Sequence, residues 1–316
     1  MNPLRALARH PTTEGGAGTA GSVSGQRGGP PARRVWALTA ASTRTPRHDP
    51  VQSQDRVYAG PGLAVVADGV GSLPDSGAAA QITVELLAAL SDLPEHLGLA
   101  GLPAVGGFAV EPGLVRAALD AAHDRVRSEV GPTGASTALV LAATSGGGAD
   151  VAWVGNGAVF VASLGHELHR GHGTRPTVHA TNLMLPHVSY QHGLDVLDRI
   201  IGGATAPVPD WVRLGPARDD RVLLAVSDGL YSLEQDPVGR APDGTRWRQV
   251  RPTGQALNEL AENLLTWLEL GDLTSAEVQR GCDEMLEELL DDGHLDDDAS
   301  VAVMVLPGAD HDTERR

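Results

Sequence analysis

Three acidic positions set the chemical possibilities of this chain. The apolar run Leu63-Ala64-Val65-Val66-Ala67 stops at Asp68-Gly69, and Val222 to Val226 stops one residue before Asp228-Gly229. A third acidic group, Asp296-Asp297-Asp298, stands just before the alternating run Ala299 to Leu306. Runs of small and β-branched residues pass through an interior as strands, so each carboxylate is placed at the lip of a core. A glycine after the aspartate leaves a backbone carbonyl that no Cβ shields. Each Asp-Gly pair therefore offers two oxygens suited to a hard cation. On its own such a pair would be a strand-ending turn; its recurrence suggests a site. Antiparallel neighbours bring strand ends together, and two carboxylates at about 4 Å repel by roughly 4 kcal/mol at an effective dielectric of about 20. They need a cation or a shared proton. No arginine or lysine adjoins Asp68 or Asp228, and all-oxygen ligands select Mg²⁺ or Mn²⁺ over softer metals. The expectation is a divalent, binuclear centre.

Composition narrows the partners. The formal charge of −16 over 316 residues argues against nucleic acid or an anionic membrane as a bulk electrostatic partner. Cys282 is the only cysteine, which excludes an intrachain disulfide and cysteine-rich metal sites and suits a cytoplasmic protein. The N-terminus has no uninterrupted apolar segment, and nothing approaches the roughly 18 apolar residues of a membrane span. Neither export nor anchoring is expected.

Elements must now position those aspartates. Residues 1–34 are dominated by Gly, Ala, Pro, Thr and Arg with Glu14 as the only acid, a composition that cannot offset its ordering entropy and predicts a disordered tail. A single body is expected over 35–308, followed by a polar tail at 309–316. It opens with a strand from Val35 to Thr43, a polar loop from Arg44 to Gln54, and Asp55 before a short strand. Asp75 or Ser76 is expected to cap a helix running to about Leu90, with Ile82, Leu86 and Leu90 on one stripe. A second helix starts at Pro112 and ends at Gly131-Pro132. Strands at 136–144, 150–154 and 158–164 read as an antiparallel meander, with hairpin turns at Ser145 to Gly148 and at Gly155-Asn156-Gly157. From His166 to Trp211 the periodicity weakens, apart from a short helical pattern near Leu194 to Ile201. His166, His169 and His172 are not a recognised ligand set, and a strand would point them in different directions. Two amphipathic helices, at about 255–270 and 275–292, precede the last strand.

In order along the chain, Gln52-Ser53-Gln54-Asp55, Ala67-Asp68-Gly69-Val70-Gly71, Gly134-Ala135-Ser136-Thr137-Ala138, Val154-Gly155-Asn156-Gly157, Ser227-Asp228-Gly229-Leu230 and Asp297-Asp298-Ala299-Ser300 resemble the motif series of the metal-dependent serine/threonine protein phosphatases of type 2C. The likeness is to a divergent, bacterial-like member and runs from about Val35 to Leu306. It implies an α+β fold, a four-layer α-β-β-α sandwich of two antiparallel sheets flanked by helices. It also implies hydrolysis of phosphoserine and phosphothreonine in proteins by a metal-activated water, with an opposing kinase as counterpart. By the same likeness Asp68, Asp228 and Asp297 would ligate two Mg²⁺ or Mn²⁺ ions, the Gly69 carbonyl would complete one shell, and Asp55 would orient bound water. Pro50 stands where the family carries a phosphate-clamping arginine, which makes Arg47 and Arg44 the candidate replacements. Val70 replaces a histidine found in some members. Ser72 replaces a glycine. Asn156 replaces an aspartate of a further metal site. Two other readings are a pseudophosphatase serving as a regulatory binding module and a metal-dependent hydrolase of a small phosphoester.

Overall fold

The computed structural model describes residues 37–46, 53–91, 112–144, 146–169, 173–191, 194–231, 238–240, 246–248, 252–271 and 273–308. The expected tails at 1–34 and 309–316 lie outside them, as do Arg47, Pro50 and His172.

Two five-stranded antiparallel sheets form the centre. The first is ordered Leu38–Arg44 (β1), Ala299–Leu306 (β14), Arg221–Val226 (β11), Ala158–His169 (β6) and Gly173–Asn182 (β7). The second is ordered Asp210–Leu214 (β10), Ala149–Val154 (β5), Ala138–Ala143 (β4), Leu63–Ala67 (β3) and Arg56–Gly60 (β2). Side chains alternate across a strand, so one apolar run feeds two cores. Ala64, Val66, Leu139 and Leu141 meet Leu223, Ala225, Ala302 and Met304 between the sheets. The alternate residues Leu63, Val65, Val140 and Val154 pack on the helices Ser76–Ala88 (α1) and Pro112–Glu129 (α2), through Ile82, Leu87, Leu119 and Val126. Val222, Leu224, Val301 and Val303 do the same with Pro252–Leu270 (α3) and Ser275–Asp291 (α4), through Leu257, Leu264 and Leu286. Burial on both faces is why these strands read as unbroken apolar runs. The result is the α-β-β-α sandwich. A capping box, with Thr274 and Glu277 exchanging backbone and side-chain bonds, starts α4. Among the described residues no helix is long and apolar enough to cross a membrane.

Four local expectations are corrected. Gly155-Asn156-Gly157 is not a hairpin: β5 and β6 belong to different sheets, so the three residues cross between them. Local turn chemistry matched a hairpin, but the sandwich decides which strand pairs with which. The segment from Leu194 is not helical. Leu194–Leu197 (β9) pairs with Val188–Gln191 (β8), a pairing that helical spacing cannot reveal. Strand β6 extends to His169 against β7, giving a long ribbon where an irregular insertion was expected. Asp75 precedes α1 without a side-chain cap bond, and the Ser76 hydroxyl turns instead to the Val70 carbonyl at 2.8 Å. The short strands Val238–Arg240 (β12) and Arg246–Arg248 (β13) form a separate pair.

Candidate metal centre

The aspartates arrive at one cleft from both sheets. Asp68 follows β3, Asp228 follows β11 after Ser227, and Asp297 and Asp298 precede β14. With Gly69 and Asn156 they line a cavity of about 70 Å³.

Backbone bonds fix Asp68. Its carbonyl accepts the Thr137 N–H at 2.8 Å and the Ser136 hydroxyl at 3.1 Å, and its N–H donates to Thr137 Oγ1 at 3.2 Å. Ser136 bridges Gly69 on one side and Ile201 on the other. Val70 donates to the Ala135 carbonyl at 3.0 Å. A Cβ on Gly69 would lie 2.8 Å from the Ser76 carbonyl carbon and 2.9 Å from Gln54 Cβ, so the turn closes only around glycine.

Asp228 is held differently. The buried Ser227 donates its N–H to the Ser300 carbonyl at 3.0 Å and accepts the Ser300 N–H on its hydroxyl at 2.9 Å. A Cβ on Gly229 would overlap the Asp298 carbonyl. The Asp228 carboxylate itself accepts the Asn156 amide, Nδ2 to Oδ2, at 2.7 Å. Asp298 is buried and accepts the Gln54 N–H at 2.6 Å, while Asp297 Oδ1 accepts the Asp298 N–H at 2.8 Å. Arg56 closes the neighbouring turn by donating to the carbonyls of Ser53 and Asp55 at 2.8 and 2.6 Å.

Asp55 lies behind Asp68 and is only 1% exposed. Its carboxyl sits beside Asp68, Ser227 and Ser300, yet neither buried oxygen has an aligned donor among the described residues. Burial pushes its pKa up to about 7. Burial also raises Asp68 well above the usual carboxylate range, with the charges of Asp55 and Asp228 adding to it. Asp228 is exposed on its solvent side, and desolvation by the walls of the cleft around its carboxyl, and then Asp297, raise its pKa. Several carboxylates are thus gathered where ionisation is unfavourable without a compensating charge.

The described arginines do not supply that charge where they form ion pairs. Arg44 donates to Glu287 at 2.8 Å and to the Thr43 carbonyl at 2.9 Å, and Arg213 binds Asp150 at 2.7 and 2.8 Å. Among the described residues no three carboxylate, imidazole or thiol groups already surround one point as a finished cation cage. The donor set nevertheless fits a hard divalent ion, being all oxygen. Asp55 and the Asn156 Oδ1 add buried oxygens that lack a partner among the described residues.

The expected residues Asp68, Gly69, Asp228 and Asp297 therefore share the cleft, and Asp55 supports it from behind. Arg44 is committed to α4, and Arg47 lies outside the described residues. Sequence reasoning missed Asp298, because a run of three aspartates does not rank its members. It also missed Gln54 and Arg56, whose types carry no signal of a turn clamp. Asn156 was expected in a hairpin, and its contact with Asp228 follows from the crossover.

The family model for protein phosphatase 2C matches residues 40–269. No curated protein matches by sequence. Among solved structures, the catalytic domain of the serine/threonine phosphatase PstP with two manganese ions is 18% identical with a TM-score of 0.51, covering 86% of this chain and 99% of that one. The PPM Ser-Thr phosphatase MsPP from Mycobacterium smegmatis with cacodylate is 20% identical with a TM-score of 0.52, over 86% and 99% of the two chains. PppA, a regulatory component of a secretion system in Pseudomonas aeruginosa, is 20% identical with a TM-score of 0.53, over 85% and 97%. These likenesses show a shared fold. With the family match spanning more than half of the sequence, this chain belongs to the protein phosphatase 2C family.

Proposed function

We propose that the body at 35–308 hydrolyses phosphoserine and phosphothreonine in proteins at the cleft between the sheet ends, using two Mg²⁺ or Mn²⁺ ions. The observation that carries this reading is the convergence of Asp68, Asp228, Asp297 and Asp298 from both sheets on one small cavity. Asp68, Asp228, Asp297 and the Gly69 carbonyl would hold the ions. When bound, such ions lower the pKa of water toward neutrality and supply an oxygen nucleophile for in-line attack on phosphorus. Asp55 orients water from behind Asp68; without a compensating cation its carboxyl keeps a proton up to about pH 7. Asn156 holds Asp228 in place through its amide. Val70 offers no proton to the leaving alkoxide, so solvent supplies it. Arg47 is the proposed phosphate contact. Arg44 could serve only by leaving Glu287. This function implies an opposing serine/threonine kinase and a cytoplasmic location.

One observation favours a second reading: the described arginine closest in sequence to Asp55 on its N-terminal side, Arg44, is bound to α4, as it would be in a binding module that does not turn over. Hydrolysis of p-nitrophenyl phosphate and of a phosphothreonine peptide, each with and without Mn²⁺, separates the two. Wild type is expected to turn over both substrates only with metal, and Asp228→Asn to turn over neither. Mn²⁺ binding by calorimetry with no hydrolysis above Asp228→Asn would make the chain a pseudophosphatase.

A further inference from the structure

The loop that delivers Asn156 has little stiffness of its own. Gly155 and Gly157 both take positive φ, 100° and 93°, where glycine is favoured because it has no Cβ. Something outside the loop must fix it. His187 grips Gly155 by both backbone groups: the His187 N–H donates to the Gly155 carbonyl at 2.9 Å, and the Gly155 N–H donates to His187 Nδ1 at 3.1 Å.

That second bond dictates the tautomer. A backbone N–H can only donate, so Nδ1 carries no proton and Nε2 carries it. Nε2 lies 3.1 Å from both Asp210 Oδ2 and Arg199 Nη1; a guanidinium cannot accept, so the proton on Nε2 goes to Asp210. Asp210 is held in turn by Arg199, which donates to Oδ1 at 2.9 Å and to the Val208 carbonyl at 3.0 Å. The ring stacks on Trp153 with centroids 6.4 Å apart, and Trp153 is pinned by its own bond to the Leu185 carbonyl at 3.0 Å. His187 is 7% exposed, and burial lowers its pKa, which keeps the ring in the neutral form that the Nδ1 bond requires. Both ring nitrogens are spent on protein groups, Nδ1 on the loop bond that sets the tautomer and Nε2 on the Asp210 carboxylate.

We propose that His187 is a positioning residue for the centre: fixed by Asp210 and Arg199, it holds the Gly155-Asn156-Gly157 crossover so that the Asn156 amide restrains the Asp228 carboxylate. This rests on the reading of Asp228 as a metal ligand. It predicts that the two nitrogens of His187 have unequal value. In His187→Asn the side-chain oxygen can take the place of Nδ1 and accept the Gly155 N–H. In His187→Gln the amide reaches toward Asp210 and leaves the Gly155 N–H without its acceptor.

The test compares these variants in the full chain by Mn²⁺ calorimetry, by the NMR signal of the Asn156 side-chain amide, assigned through its loss in Asn156→Ala, and by aryl phosphate kinetics. His187→Gln is expected to bind Mn²⁺ about tenfold more weakly, in the range seen when groups behind metal ligands are changed. Its Asn156 amide signal should shift, and KM should change less than kcat at fixed Mn²⁺. His187→Asn should restore most of both. Should His187→Gln fail to fold, Asp210→Asn loosens the same tautomer from the surface side and should shift the same signal. Equal Mn²⁺ affinity in the Gln and Asn variants, or an unmoved Asn156 signal in His187→Gln, overturns the proposal. A wild type that binds no Mn²⁺ overturns the metal centre itself, and the amide signal, read without metal or turnover, tells that failure from the first.

Discussion

The two Asp-Gly turns look alike in sequence and differ in what steers the carboxylate. Asp68-Gly69 has its backbone held by main-chain and hydroxyl groups of Ser136 and Thr137 and by the Ala135 carbonyl, and neither Gly69 nor Gly229 has room for a side chain. Asp228-Gly229 has its backbone anchored by the Ser227 and Ser300 pair, but its carboxylate is steered by one side chain, Asn156, on a glycine loop. A group fixed by backbone can be disturbed only by disturbing the fold. A group fixed by a side chain can be disturbed alone.

Breaking this contrast at its centre gives the largest effects. Asp68→Asn and Asp228→Asn should each lower Mn²⁺-dependent hydrolysis by more than about 100-fold, beyond the effect of losing a group behind a ligand. Metal-free Asp68→Asn should nevertheless unfold at a higher temperature than metal-free wild type, because burial and neighbouring carboxylates disfavour the Asp68 charge. Thermal melts near neutral pH with a chelator check this, and a lower midpoint would refute it.

Next come the supports. Gly69→Ala must push Ser76 or Gln54 aside, an overpacking that costs about 1–3 kcal/mol and should appear in urea denaturation whether or not metal is present. Asn156→Ala should leave the urea midpoint near wild type and weaken Mn²⁺ binding about tenfold, which calorimetry reads directly. If Asn156→Ala destabilised the fold as much as Gly69→Ala, the two turns would not differ in the way described. Ser76→Ala removes a bond to the Val70 carbonyl and should cost about 1 kcal/mol, with metal affinity following the small change in the Asp68 turn.

The smallest expected effect lies away from both turns. His123, buried on α2, accepts the Gly202 N–H at 3.2 Å, and burial lowers its pKa from 6.5. The unfolded chain therefore takes up a proton before the folded one does as pH falls through 6.5. The unfolded state binds more protons in that window, so this contribution to stability is complete above it and is lost below it. His123→Asn should lose less stability than wild type between about pH 7 and pH 5, measured by denaturant midpoints at each pH.

Much of this was legible because burial on two faces leaves a plain record. The runs at Leu63, Ala138, Val222 and Ala299 gave the central strands, and the Asp-Gly endings of the first and third, with the aspartates before the fourth, gave the candidate metal centre. Illegible features shared one cause: they depend on partners that the spacing within a segment does not name. Whether Gly155-Asn156-Gly157 turns back or crosses over depends on which sheet receives β6. Leu194 to Leu197 match a helical spacing until Val188 to Gln191 are known to lie beside them. His187 had no sequence signal, since a lone histidine in a polar segment shows neither the amide at one nitrogen nor the carboxylate at the other. Asp298 stands out from Asp297 only once Gln54 is seen to donate to it.

The three-residue crossover between β5 and β6 also acts as a mechanical gauge. It joins the two sheets next to the cleft, so the chain itself sets how far apart the sheet ends may stand at that point. Neither sheet can slide along the other there without stretching the contact between Asn156 and Asp228. One residue added between Gly155 and Gly157 would lengthen the gauge, and the bulk of the sandwich, held by its three cores, would feel it little. The change would be felt first as a wider spacing between the Asp68 and Asp228 oxygens that line the cleft.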